Sequence, residues 1–331
     1  MDLWGFLLFL FVLAAINTIA IALHDKFFFE FNAAKDPEGI EGFEVNEEIA
    51  GTVSKESGIV RYLDNDALYD KFYASLYDQL TQGSTRTQAE VALMTHEWTK
   101  RGEDLKTFEV LDVGCGTGIA VAAFAKLGVK KVVGLDKSPD MLAQAQSKTI
   151  PRTTLTDAQK QTIEWKQGDV ADSTQFQGGQ FSHAFLLYFT VYYLSDKEGA
   201  FRNLFYWVKP GGRLVVHVVN KHKFDPMLES SAPWLGFSLQ KYVKTRVTKS
   251  EVIFNKFKYS GDFDLQDPGA EFRETFQFDD GKVRRQKHTF RMEDMIEIVN
   301  MAKTAGWTYR GYTDLTPVAF EYAYHLHFSH P

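Results

Sequence analysis

The stretch Val110-Leu-Asp-Val-Gly-Cys-Gly-Thr-Gly118 constrains this chain more than any other. A run of apolar residues enters three glycines at alternate positions, and a helical pattern follows through Lys126. Glycines let a backbone turn tightly and approach a ligand closely, and the following helix points amide hydrogens at that ligand. The same alternation continues down the chain. Strands are expected at Phe108–Val113, Val132–Asp136, Ile163–Lys166, Ser182–Leu187 and Leu214–Val219, with helices from Pro139 and over Lys197–Val208. This pattern implies a doubly wound, mostly parallel α/β sheet.

A glycine loop alone says little about the ligand, so the neighbouring strand ends decide. Gly134-Leu135-Asp136 closes the second strand, 22 residues beyond Gly114. An acidic residue there is placed to bind both hydroxyls of a ribose. Gly168-Asp169-Val170 closes the third strand, where a carboxylate can accept from an exocyclic amine, and Lys209-Pro-Gly-Gly212 turns into the fifth. The dehydrogenase spacing, Gly-x-Gly-x-x-Gly, is not present, because the third glycine falls one residue early.

VLDVGCGTG, GLDKSPDML, GDV and KPGGRLVV together resemble the class I S-adenosylmethionine-dependent methyltransferases, over about residues 106–220 and 291–331. The resemblance implies a seven-stranded, mostly parallel sheet that ends in an antiparallel hairpin, with S-adenosyl-L-methionine as cofactor. It implies that Asp112 and the backbone of Gly114, Cys115, Gly116 and Gly118 hold the methionine part, with Asp136 on the ribose. Met141 would pack near the adenine, Asp169 and Val170 would meet its edge, and Lys137 and Tyr188 would flank the same site. LYDKFYASLYD resembles the helices that cover the cofactor in small-molecule members, with Tyr69 or Tyr73 reaching the methionine carboxylate or serving only the core.

Methyl transfer from a sulfonium asks an enzyme chiefly to align three atoms and exclude water, and sometimes to remove a proton. Tyr192 and Tyr193, after the fourth strand, are expected beside the methyl donor, and His222, after the fifth, is the candidate base. His217 is expected in the core or behind the site. The basic run Lys282, Arg284, Arg285 and Lys287 reads as a solvated hairpin face, and His288 lies either on such a face or along the acceptor pocket. No metal site is expected.

Residues Leu3–Leu23 form a charge-free apolar run, long enough to cross a bilayer as one helix. The first reading is an uncleaved single-pass signal anchor, and a cleaved signal peptide or a buried helix are its rivals. Lys26 leans the topology toward a cytoplasmic catalytic domain. The expected organisation is an anchor at 1–26, a tether at 27–60, a helical cap at 61–105, the cofactor-binding core at 106–220, an antiparallel acceptor lid at 221–290, and a last helix and hairpin at 291–331.

Composition narrows the partners. Apolar residues make up 44 % and charged residues 24 %, which excludes a disordered or polytopic membrane chain. A net charge of −6 gives no field toward nucleic acid, and one cysteine excludes an internal disulfide. The expected partner is a small-molecule or lipid-soluble acceptor. A protein methyltransferase and a catalytically silent cofactor-binding module remain as alternatives.

Overall fold

The computed structural model describes residues 62–81, 83–226, 248–254, 257–318 and 320–331. The expected anchor and tether lie outside these residues. Among the described residues no helix is long and apolar enough to cross a membrane.

Eleven strands are described among these residues. β1 (Glu109–Val113), β2 (Lys131–Asp136), β3 (Ile163–Gln167), β4 (Phe181–Leu186) and β5 (Val208–Val219) pair in parallel, and β10 (Thr308–Asp314) and β11 (Ala323–Ser329) add an antiparallel edge. The order is β10-β11-β5-β4-β1-β2-β3, so strand order reverses between β1 and β4. Open α/β sheets bind ligands at such a reversal, beyond the carboxyl ends of the strands. β1 and β4 are buried almost throughout, as a strand covered by helices on both faces requires. The Pro-Gly-Gly turn lies within β5, where the pairing with β4 jumps from Phe181–Val208 to His183–Arg213.

Helices α1 (Lys71–Thr81), α2 (Gly83–Lys100), α3 (Ile119–Lys126), α4 (Pro139–Gln144), the single turns α5 (Asp157–Lys160) and α6 (Thr190–Tyr193), α7 (Lys197–Trp207) and α8 (Met295–Thr304) complete the core. Gly83 and Ser84 open α2. α1 buries Phe72, Tyr73, Leu76 and Leu80, the apolar positions of its helical period.

The insertion is a four-stranded antiparallel sheet, β6 (Lys249–Ile253), β7 (Phe257–Gln266), β8 (Gly269–Phe278) and β9 (Val283–Arg291). Its free β9 edge is capped by the segment that leads into α1: Leu63 N–H donates to Arg285 O at 3.1 Å, and Lys287 N–H to Leu63 O at 2.8 Å. One apolar cluster joins Leu68, Phe72 and Leu76 of the cap to Met141, Phe257, Tyr259 and Phe276.

Candidate active site

The glycine loop sits at the end of β1, beside the strand-order reversal. Gly114, Gly116 and Gly118 all have left-handed φ, at 67°, 54° and 80°. A side chain at Gly114 would strike Thr190, and one at Gly118 would strike Trp165, whereas Gly116 borders open space. Gly116 is therefore the point at which a ligand can approach the backbone.

Asp136 closes this loop from β2. Its carboxylate accepts from Gly116 N–H at 2.8 Å and from Ser138 N–H at 2.9 Å. Burial pushes its pKa up, and those two amides partly restrain the rise. Asp112 lies deeper; burial, with the neighbouring Asp136 carboxylate, pushes it up to about 8. Cys115 is buried, which raises its thiol well above the ordinary range. Asp169 receives Ala171 N–H at 2.9 Å and pairs with Lys137 at 3.2 Å, so these two expected residues meet at the end of β3. The Val170 side chain belongs to the main core. Met141 is buried in the cluster under the cap. Loop amides, open space above Gly116 and carboxylates at successive strand ends form a donor set that fits an adenosyl ligand with a ribose and an amine edge.

Tyr188 takes a left-handed φ of 52°, uncommon for a bulky residue and frequent at functional sites. The Arg86 guanidinium lies 4.0 Å from its ring centre.

Two expectations for catalytic residues change. Tyr192 is buried in the main core, and its hydroxyl accepts from Val219 N–H at 2.8 Å. It braces α6 against β5, because the single turn sends adjacent tyrosines in different directions. His222 is exposed in the turn after β5, with its backbone N–H on Asn220, and takes no part in the buried polar clusters described below.

Tyr193 belongs to a buried polar chain. Tyr69 O–H donates to the Tyr193 hydroxyl at 2.7 Å, and Tyr193 O–H points at His288 Nδ1 at 2.6 Å. His288 Nε2 lies 2.6 Å from Glu274 Oε2. Glu274 also accepts from Gln286 at 2.6 Å and, through Oε1, from Tyr259 at 2.7 Å. The Tyr73 hydroxyl is 3.3 Å from His288 Nε2. Arg284 bonds Gln286, Leu68 O and Asp70, the last at 2.6 Å. Burial pushes the Glu274 carboxyl up, but His288 and the donors around it outweigh that and hold it below the ordinary range.

The reading of this strand as solvated is therefore overturned. His288 and Arg284 are buried, because β9 alternates and residues 284, 286, 288 and 290 face inward. Arg285 and Lys287 lie on the other face, with Lys287 on Glu271, and Lys282 precedes the strand.

A second buried cluster lies under α2. Glu90 Oε2 is 3.2 Å from His217 Nδ1 and 2.9 Å from His325 Nε2, and Arg86 Nε is 3.5 Å from Glu90 Oε1. The histidines are direct cross-strand partners on β5 and β11. Two imidazoles and a carboxylate within 4.8 Å are a set that cations such as zinc can use. Here Arg86 already supplies the positive charge, and we read the group as an ion-paired strut.

The comparisons agree with this geometry. Residues 110–212 match the family described as a methyltransferase domain. Phosphoethanolamine N-methyltransferase 1 of Triticum aestivum is 28 % identical over 268 residues, 77 % of this chain and 45 % of that protein. The mitochondrial ubiquinone biosynthesis O-methyltransferase of Dictyostelium discoideum is 25 % identical over 118 residues, 35 % of this chain and 37 % of its own. The chain thus spans less than half the length of these curated relatives. Among solved structures, the CcbJ methyltransferase of Streptomyces caelestis shares the fold with a TM-score of 0.58 and 17 % identity, over 80 % of this chain and 99 % of that one. An S-adenosylmethionine-dependent methyltransferase of Clostridium acetobutylicum does so at 0.57 and 15 %, over 78 % and 97 %. Residues 110–212 accordingly match a methyltransferase domain, and the chain shares the fold of solved S-adenosylmethionine-dependent methyltransferases.

Proposed function

We propose that the whole chain transfers a methyl group from S-adenosylmethionine to a small-molecule acceptor held under the antiparallel insertion. The observation that carries this reading is the closure of the Gly116 loop by Asp136 within the same unit as a buried, tyrosine-lined polar chain. Tyr69 links the two regions: its carbonyl accepts from Ser138, two residues beyond Asp136, while its hydroxyl starts the chain to His288. The phosphoethanolamine N-methyltransferase relatives are themselves named for a small-molecule acceptor.

When bound, the donor supplies a methyl group on a sulfonium sulfur, which is already activated as a leaving group. The chain's residues then have three tasks. Loop amides and Asp136 fix the donor, the insertion and cap exclude water, and tyrosines border the reacting centre.

We infer further that residues 3–23 tether the enzyme to a bilayer as a single span, with the catalytic domain on the cytoplasmic side. The charge-free apolar run and the following Lys26 support this. Removing residues 1–26 should release a folded, donor-binding protein into the soluble fraction; a full chain already soluble without detergent would contradict the tether.

The function is tested by incubating the full chain with methyl-labelled S-adenosylmethionine and separate polar-metabolite, lipid and protein extracts. Label in a polar or lipid fraction supports the reading. Label in protein alone would replace it with a protein methyltransferase, and none in any fraction would favour the silent module.

A further inference from the structure

We propose that the insertion sheet supplies the proton acceptor of the reaction, that Tyr69 and Tyr193 conduct the proton to it, and that the acceptor is therefore an amine presented as its ammonium. This inference rests on the methyltransferase reading above and names the substrate class of the same site.

The direction of the chain follows from its hydrogen bonds. Glu274 already receives protons from Gln286 and Tyr259, so His288 Nε2 must carry a hydrogen to bond it. His288 Nδ1 is then the lone-pair nitrogen and accepts from Tyr193 O–H. Tyr193 oxygen in turn accepts from Tyr69 O–H. Every hydroxyl points toward the imidazole, and the outer Tyr69 oxygen keeps lone pairs for an incoming proton. Tyr69 stands beside the Asp136 strand end: its carbonyl accepts from Ser138 Oγ at 2.6 Å.

A proton entering at Tyr69 displaces that hydroxyl's own proton to Tyr193, and Tyr193 passes its proton to His288 Nδ1. The end state is a His288 imidazolium against the Glu274 carboxylate, with both phenols again neutral. The proton comes from a substrate ammonium, whose freed nitrogen lone pair forms the new bond to the methyl carbon. The carbon–sulfur bond breaks with its electron pair left on sulfur. Two positive charges enter, ammonium and sulfonium, and two leave, N-methylammonium and imidazolium.

The surroundings favour an ammonium over an acidic acceptor. Rings of Tyr69, Tyr73, Tyr193, Phe272 and Phe290 all lie within 6.1 Å of the His288 ring centre. Their faces and the Glu274 carboxylate attract a cation. Arg284, the cation in this network, is held by Asp70. An ammonium is a far stronger acid than an aliphatic alcohol and gives its proton to this chain more readily, and a carboxylate needs no base at all.

The test uses the full chain, methyl-labelled S-adenosylmethionine, and a polar extract divided by cation exchange at neutral pH. Label is expected in products from the retained, amine-bearing fraction. Tyr193→Phe keeps the ring and should lower turnover on that fraction at pH 7 by about 10²-fold, with activity recovering as pH rises and the amine loses its proton to solvent. Tyr69→Phe should behave alike. Nitrogen-15 spectra of the unliganded chain should show His288 as the Nε2–H tautomer, with an Nδ1 signal that moves in Tyr193→Phe. Donor binding by calorimetry should stay within about twofold in both variants, a change of about 0.4 kcal/mol. Label confined to the unretained fraction, no label with donor bound, an unchanged pH profile, or an Nδ1–H tautomer would each overturn the relay. Failure of the wild-type chain to bind donor would instead overturn the methyltransferase reading.

Discussion

Two glutamate–histidine clusters are buried among the described residues, and their surroundings give them different work. Glu90, His217 and His325 come from a helix and two adjacent strands, with Arg86 as counter-ion. The far nitrogens His217 Nε2 and His325 Nδ1 have no hydrogen-bond partner among the described residues. Glu274 and His288 have nearly the same composition but bond outward, through Tyr193 to Tyr69. A buried carboxylate held by donors from three elements locks those elements together. One joined to a hydroxyl chain can also exchange a proton with a ligand. Connection, more than burial or residue type, separates a strut from a site.

That contrast can be broken by mutation. Glu90→Ala should cost the most stability, about 3–5 kcal/mol, because it leaves buried partners uncompensated. Denaturant unfolding measures this, and a loss under about 1 kcal/mol would remove the strut reading. If purified full chain carries stoichiometric zinc that Glu90→Gln abolishes, the cluster is a metal centre instead.

Glu274→Gln should cost less, about 1–3 kcal/mol for the hydrogen bonds to a charged acceptor, yet it should affect turnover far more than Glu90→Gln does. Equal effects of the two substitutions on turnover would erase the distinction between them.

The smallest effect is in acid. Burial raises the Glu90 carboxyl, but His217 and His325 outweigh this and hold it well below the ordinary range. A carboxyl depressed on folding contributes its full stability above its unfolded pKa, about 4.3, and loses it as pH falls toward the folded value. Glu90→Gln should therefore flatten the stability curve below about pH 4.3. An unchanged acid slope would show that Glu90 is not the group responsible.

Legibility in the sequence followed the range of the interactions. The loop at 114–118 and the carboxylates at Asp136 and Asp169 lie at successive strand ends, so their spacing alone was enough to place them along one edge of the sheet. His288 was hidden because its role depends on register: Phe272 faces it across β8 and β9, and Glu274 faces Gln286. The signal was nevertheless present, as Arg284, Gln286, His288 and Phe290 alternate with Arg285, Lys287 and Thr289. Reading that stretch as one basic run mixed its two faces. Tyr192 and Tyr193 could not be told apart from sequence, since one helical turn sends one hydroxyl to Val219 and the other to His288. His217 was legible as buried, but its partner Glu90 lies 127 positions away, beyond any local pattern.

The most direct test of the account is a calorimetric titration of S-adenosylmethionine into the full chain and its Asp136→Ala variant. The account predicts one site in the wild type, weakened by about 1–3 kcal/mol when the charge-assisted bonds of Asp136 are lost. A wild-type chain that does not bind, or a variant that binds equally well, would contradict the placement of the methyl donor over the Gly116 loop.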